Sequence, residues 1–199
     1  WVYSPLYKKL GTIQGALNLN ANLEGLTDNT VSGSLTWLKP SIIGRAYPNS
    51  FGPTNLTVDG GFLALTNKTK AISGLPAVGE VQVLFTHGGL ADSATDPDTS
   101  FTFSALNKVV LPPALNNPGK VTITLNPATG VVGGNFTLVE TTPPLTRAKV
   151  PFFGQVVRQT DGQIKAVGYF MSAQIPGVGQ KITTSPILSG GVKLQQPLP

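Results

Sequence analysis

Val121-Thr122-Ile123-Thr124-Leu125, followed by Asn126-Pro127-Ala128-Thr129-Gly130, decides the fold class. Apolar and polar residues alternate with a period of two, which puts Val121, Ile123 and Leu125 on one face of a strand and the threonines on the other. The Asn/Pro/Gly cluster that ends the run is turn chemistry. The same device recurs along the chain. Thr12–Asn20 places Ile13, Leu17 and Leu19 on one face, and Val31–Leu38 places Val31, Leu35 and Trp37 inward with Gly33 between them. Val81–Phe85 and Phe101–Phe103 follow the same period. Asp161-Gly162 is a hairpin signal that joins Gln155–Arg158 to Ala166–Met171. Every window long enough for a helix contains Gly, Pro or a β-branched run, so at most a short helical turn is expected, near Thr66–Ile72 or Ser104–Val109. The chain reads as all-β.

Order and spacing suggest that the chain repeats itself. Leu17–Asn20, Ser32–Trp37, Arg45…Pro48…Phe51 and Gly60-Gly61-Phe62 are followed about a hundred residues later by Ile123–Asn126, Gly133–Leu138, Arg147…Pro151-Phe152 and Gly168-Tyr169-Phe170. The expected architecture is therefore two consecutive antiparallel β units, barrels or sandwiches, at 1–105 and 106–199, related by internal duplication. A length of 199 residues suits one large β domain or two small ones.

Composition narrows the function. Only 12% of residues are charged, about half the usual share, and Thr, Ser, Asn and Gln replace them, as on extracellular β proteins. The net charge of +5 comes from scattered cations whose only adjacent pair is Lys8-Lys9. Nucleic-acid binders concentrate cations and interleave aromatics, so nucleic acid is not an expected partner. With no cysteine there are no disulfides, thiol chemistry or Cys-ligated zinc, and the absence tilts the reading toward an exported bacterial protein. The start at Trp1 reads as a processed product or a fragment. No stretch is long and apolar enough for a membrane-spanning helix.

The run Pro5-Leu6-Tyr7…Gly11…Gly15-Ala16-Leu17…Val31–Pro40…Tyr47-Pro48…Phe51 resembles a pattern in large exported surface proteins of the verrucomicrobia–planctomycete bacteria, in their C-terminal tandem-β region. The second half resembles the same region's ending through Asn126–Thr137, Val150–Val157, Gly168-Tyr169-Phe170 and Ser185–Val192. The resemblance implies location and architecture and carries no catalytic residue. In such proteins further strands precede the Leu6-Tyr7 segment. A first unit lacking them would expose an unpaired edge that another chain completes. The extended termini, Trp1–Leu10 and Lys181–Pro199, suit such an exchange.

Candidate chemistry is sparse. His87 is the sole imidazole and has no nucleophile elbow, so it reads as a turn residue. Most of the nine carboxylates sit in turns, which argues against the facing pair of a glycosidase. Asp92, Asp96 and Asp98 form the densest acidic stretch and are weak calcium candidates without EF-hand spacing. Tyr47 and Phe51, near Trp37, are weak candidates for contact with sugar, as Trp1 and Tyr3 are for contact with a partner; Trp37 itself is expected in the core. Three glycosylation sequons stand at Asn55, Asn67 and Asn135. The expected function is a non-enzymatic, secreted or cell-surface structural protein without cofactors. It would assemble with identical chains through strand exchange into a surface layer or filament. A carbohydrate-binding or adhesive module, holding the surface to polysaccharide, is the alternative.

Overall fold

The computed structural model describes residues 1–21, 29–63, 65, 75, 79–104, 107–141 and 144–196. Twelve strands are assigned: β1 (Val2–Leu6), β2 (Gly11–Asn20), β3 (Thr30–Lys39), β4 (Phe51–Gly61), β5 (Gly79–His87), β6 (Thr99–Ser104), β7 (Lys108–Val110), β8 (Thr122–Leu125), β9 (Val131–Thr141), β10 (Pro144–Arg158), β11 (Ile164–Ala173) and β12 (Ile187–Gln195). Helical residues among those described are confined to the short turns Tyr7–Lys9 and Ala114–Asn116 and to Asn107. Within the expected turn at Ser104–Val109, Asn107 is helical and Lys108 and Val109 belong to β7; Thr66–Ile72 lies outside the described residues. The all-β reading holds. Pairing is antiparallel throughout and the ladder is open among the described residues, with β1 and β7 at the ends of its main path and β8 ending the branch through β9.

Two compact units divide the chain as Trp1–Leu63 with Val157–Gln163, and Ala64–Val156 with Ile164–Pro199. The proposed repeat is not confirmed: Arg45 and Pro48 lie in the loop after β3, whereas Arg147 and Pro151 lie within β10.

Unit 1 is the meander β1-β2-β3-β4, joined at the end of β4 by Arg158 opposite Gly61. Its register sorts the side chains by kind. One set of cross-strand rows carries Val2, Leu35 and Leu56 with Gly15, then Ile13 and Trp37, then Leu17 and Val58 with Gly33, then Leu19 and Val31. The rows between them carry Tyr3 with Gln14, Thr36 and Asn55, then Ala16, Ser34 and Thr57, then Asn18, Ser32 and Asp59, with Leu38 opposite Thr12 on the same side. The face expected to be apolar is apolar. No described apolar side chain of unit 1 is fully buried, and Leu19 is 77% exposed. Ile13, Leu17, Val31, Leu35 and Trp37 on this face are half-buried rather than fully enclosed.

Unit 2 holds the core. Its order is β8-β9-β10-β11-β12-β5-β6-β7. Phe85 on β5 meets Phe136 on β9 at 4.6 Å, although three strands separate them in the ladder. The sheet therefore bends round onto its own inner face. Phe152 and Phe170 close the cluster at 5.3 and 5.9 Å from Phe85, and Phe101 and Phe103 continue it along β6. Glycine lets strands and rings approach: a Cβ on Gly134 would strike Phe152, and one on Gly190 would strike Phe170. Small residues facing large rings are what dense packing on a bent sheet demands.

Candidate functional site

The residues singled out in the sequence do not converge on one centre. His87 ends β5 at φ 62°, with Gly88 and Gly89 continuing in the left-handed region at 61° and 75°. Its carbonyl accepts from Leu90 N–H in the turn that leaves β5. Most described carboxylates have local work. Asp59 accepts from Thr160 N–H, Asp161 from Gln163 N–H, Asp96 from Asp98 N–H and Asp98 from Phe85 N–H at 2.6 Å. Among the described residues no group of three His, Cys, Asp or Glu is placed to hold a metal; Asp92 is exposed, and Asp96 and Asp98 serve the backbone.

Asp98 lines a cleft of about 390 Å³ with Gln82, Leu84, Ser100, Pro112 and Asn116. Glu80 lines the neighbouring cleft beside Val110 and Pro113. Burial raises the Asp98 pKa against the pull of the Phe85 N–H, and nearby Asp96 adds to the rise. A carboxyl raised on folding stabilises the fold when protonated. Its ionisation costs stability as pH climbs from the unfolded value, about 3.9, through the folded one. Asp98→Asn, which keeps an acceptor for Phe85, is expected to raise the melting temperature at pH 7 and to lose that advantage near pH 3. A lower melting temperature at pH 7 would show that the hydrogen bond, not burial, governs this carboxyl.

In unit 1, Trp37, Phe51 and Tyr47 form an edge-to-face chain, with ring centroids 4.7 and 5.7 Å apart. All three are half-buried. Trp37 Nε1 is buried without a hydrogen-bond partner. Next to this chain Lys39, 3% exposed, donates to Pro40 O and lies 5.3 Å from the Tyr7 ring centre. Tyr7, Lys8 and Lys9 all have positive φ, at 53°, 57° and 72°. A left-handed run costs about 1–2 kcal/mol per L-residue, and strain of this kind is found where the surroundings impose it. The run turns β1 into β2 and leaves Lys8 and Lys9 exposed at the tip. Trp1 and Tyr3, 84% and 58% exposed, mark the outer strand. β1 pairs only with β2, so its other edge carries no strand among the described residues. Asn55 is exposed on β4 and Asn135 half-buried on β9; Asn67 lies outside the described residues.

One surface was missed by sequence reasoning. The outer faces of β10 and β11 expose Phe153 and Tyr169, each at 55%, with rings 6.1 Å apart. The run Phe152-Phe153 hides the feature, since two adjacent aromatics read as core until the register assigns one to each side.

No protein-family model, no curated protein and no solved structure matches this chain.

Proposed function

We propose that the chain is a non-enzymatic structural subunit of an extracellular assembly, in which identical copies join by strand addition at their open edges. The observation that carries this reading is unit 1: a four-stranded sheet whose large apolar residues, Tyr3 and Leu38 apart, share one face, none of those described fully buried, ending in the open edge of β1. Open edges and unfilled apolar faces are what proteins suppress unless they use them. β7, which ends the main path of the ladder as β8 ends its branch, offers the second edge. Joining unlike edges makes a heterologous contact, which propagates into a filament when it does not close. β12 lies between β11 and β5 and is an unsuitable donor strand, because releasing it would open unit 2. The scarcity of charge and the likeness to exported bacterial surface proteins agree with an extracellular setting, and the dispersed carboxylates agree with a role without catalysis.

Proline is tolerated in an edge strand with its nitrogen toward the open side. Tyr3, two residues from Pro5, therefore turns its own N–H outward. In sedimentation velocity and electron microscopy the chain is expected to form concentration-dependent oligomers or filaments. Tyr3→Pro should reduce them to monomers without changing the circular dichroism of the folded chain. A folded wild-type monomer that stays monodisperse across a wide concentration range would refute the proposal.

A further inference from the structure

We infer that the outer face of the β9–β12 sheet binds a neutral polysaccharide, whose sugar rings lie against Phe153 and Tyr169 over a floor of glycine backbone.

The floor follows from register. Phe153 stands opposite Gly133 on β9, and Gly133 stands opposite Thr124 on β8. On the other side Tyr169 stands opposite Gly191 on β12, and Gly191 stands opposite Thr86 on β5. Two aromatic rings thus form a ridge, and on each flank one strand without a side chain separates it from a threonine. The Gly133 slot is open, since a Cβ there would meet nothing nearer than the Phe152 carbonyl at 3.6 Å; the Gly191 slot is narrower, because Thr86 Oγ1 lies 3.1 Å from where a Cβ would stand. Neither ring has folded down over its neighbouring glycine.

Dimensions and chemistry select the occupant. Phe153 and Thr124 sit two strands apart, about 10 Å, which leaves a slot about one sugar ring wide once the side chains are allowed for. The face of an aromatic ring is electronegative and attracts the polarised C–H bonds on the face of a pyranose. The ring's equatorial hydroxyls would then point to the slot walls, toward Thr124, Thr86 and the amide of Asn135. The rings' own rows carry no charged side chain, and Lys193 is the one cation on the adjoining row. A nucleic acid would need cations along its phosphates, and an acidic glycan would likewise need more than Lys193. Neutral sugar is what this face fits. The site is separate from the assembly edges, since none of its residues lies on β1 or β7.

Gly133→Val makes a discriminating test. Gly133 does not have positive φ, the added atoms enter free space, and valine favours strands, so the fold survives while one slot is filled. The full chain would be co-sedimented with insoluble cellulose, with chitin and with a β-1,3-glucan, and tested for retardation of single-stranded polyuridylate. The expected result is retention on at least one polysaccharide. Gly133→Val, Phe153→Ala and Tyr169→Ala should each weaken it at least about tenfold with the melting temperature unchanged. The inference is overturned by no retention on any of the three, by retention that all three variants leave intact, or by binding of polyuridylate alone. It is also overturned if these variants abolish self-association instead, because the face would then belong to a second copy. Filaments without glycan retention would sink this site and leave the assembly proposal standing; glycan retention by a strict monomer would do the reverse.

Discussion

Arg147→Ala is expected to destabilise unit 2 by about 3–5 kcal/mol, because it strips the partner from a buried carboxylate. The Arg147 and Glu140 side chains are 3% and 1% exposed. The guanidinium donates to Glu140 through both Nε and Nη2, and its Nη1 reaches Ala173 O at 3.0 Å. Glu140 also accepts from the Ser93 hydroxyl and the Ala94 N–H. Ser172 adds a hydroxyl hydrogen bond to Gly88 O. This network ties the loop after β5 to β9, β10 and β11. Burial alone would raise the Glu140 pKa; the hydrogen bonds from Ala94, Arg147 and Ser93, with the Arg147 charge, outweigh it and hold the pKa below the usual carboxylate value. A carboxyl lowered on folding stabilises above its unfolded pKa, about 4.3, and that stability is lost as pH falls through the folded value. Wild type should therefore weaken below about pH 4, and Arg147→Ala should flatten that dependence. Replacing both partners by apolar residues of similar volume should cost far less than either single change. Chemical denaturation of the two single variants and the double variant checks this. Equal losses for double and single variants would mean that the pair supplies net stability rather than mutual neutralisation.

Phe152→Ala and Phe153→Ala, neighbours in sequence, should differ by several kcal/mol. Phe152 is fully buried, packs on Phe85 at 5.3 Å and covers Gly134, so truncation should cost about 3–5 kcal/mol. Phe153 points outward, and its loss should stay within about 0.5 kcal/mol. Thermal melts of the two variants read the strand's register directly. Comparable losses would place both rings in the core and remove the outer platform.

How far the sequence alone reached can be read from the same strands. Val121-Thr122-Ile123-Thr124 is legible because a strand with one side in water must alternate, and Val121 and Ile123 are buried as that pattern requires. Asp161-Gly162 is legible because the tight turn needs a left-handed residue, and Gly162 has φ 84°. Face assignment in unit 1 was legible, but depth was not: Ile13, Leu17 and Trp37 share a side, yet alternation fixes orientation and says nothing about what covers a face. The Arg147–Glu140 pair was invisible because neither residue announces burial and seven positions of β-hairpin separate them. The β12–β5 pairing, which joins strands about a hundred residues apart, has no local signature. Phe153 and Tyr169 escaped because the slots beside them depend on glycines of two other strands, and cross-strand neighbours are a property of register.

Amide hydrogen exchange on assembled and dissociated chains tests edge-to-edge assembly most directly. The account predicts that amides of β1, above all Tyr3, and of β7 become protected on assembly, while β8 and the tip at Lys8 and Lys9 do not. Assemblies in which β1 and β7 exchange as freely as in the monomer would contradict it.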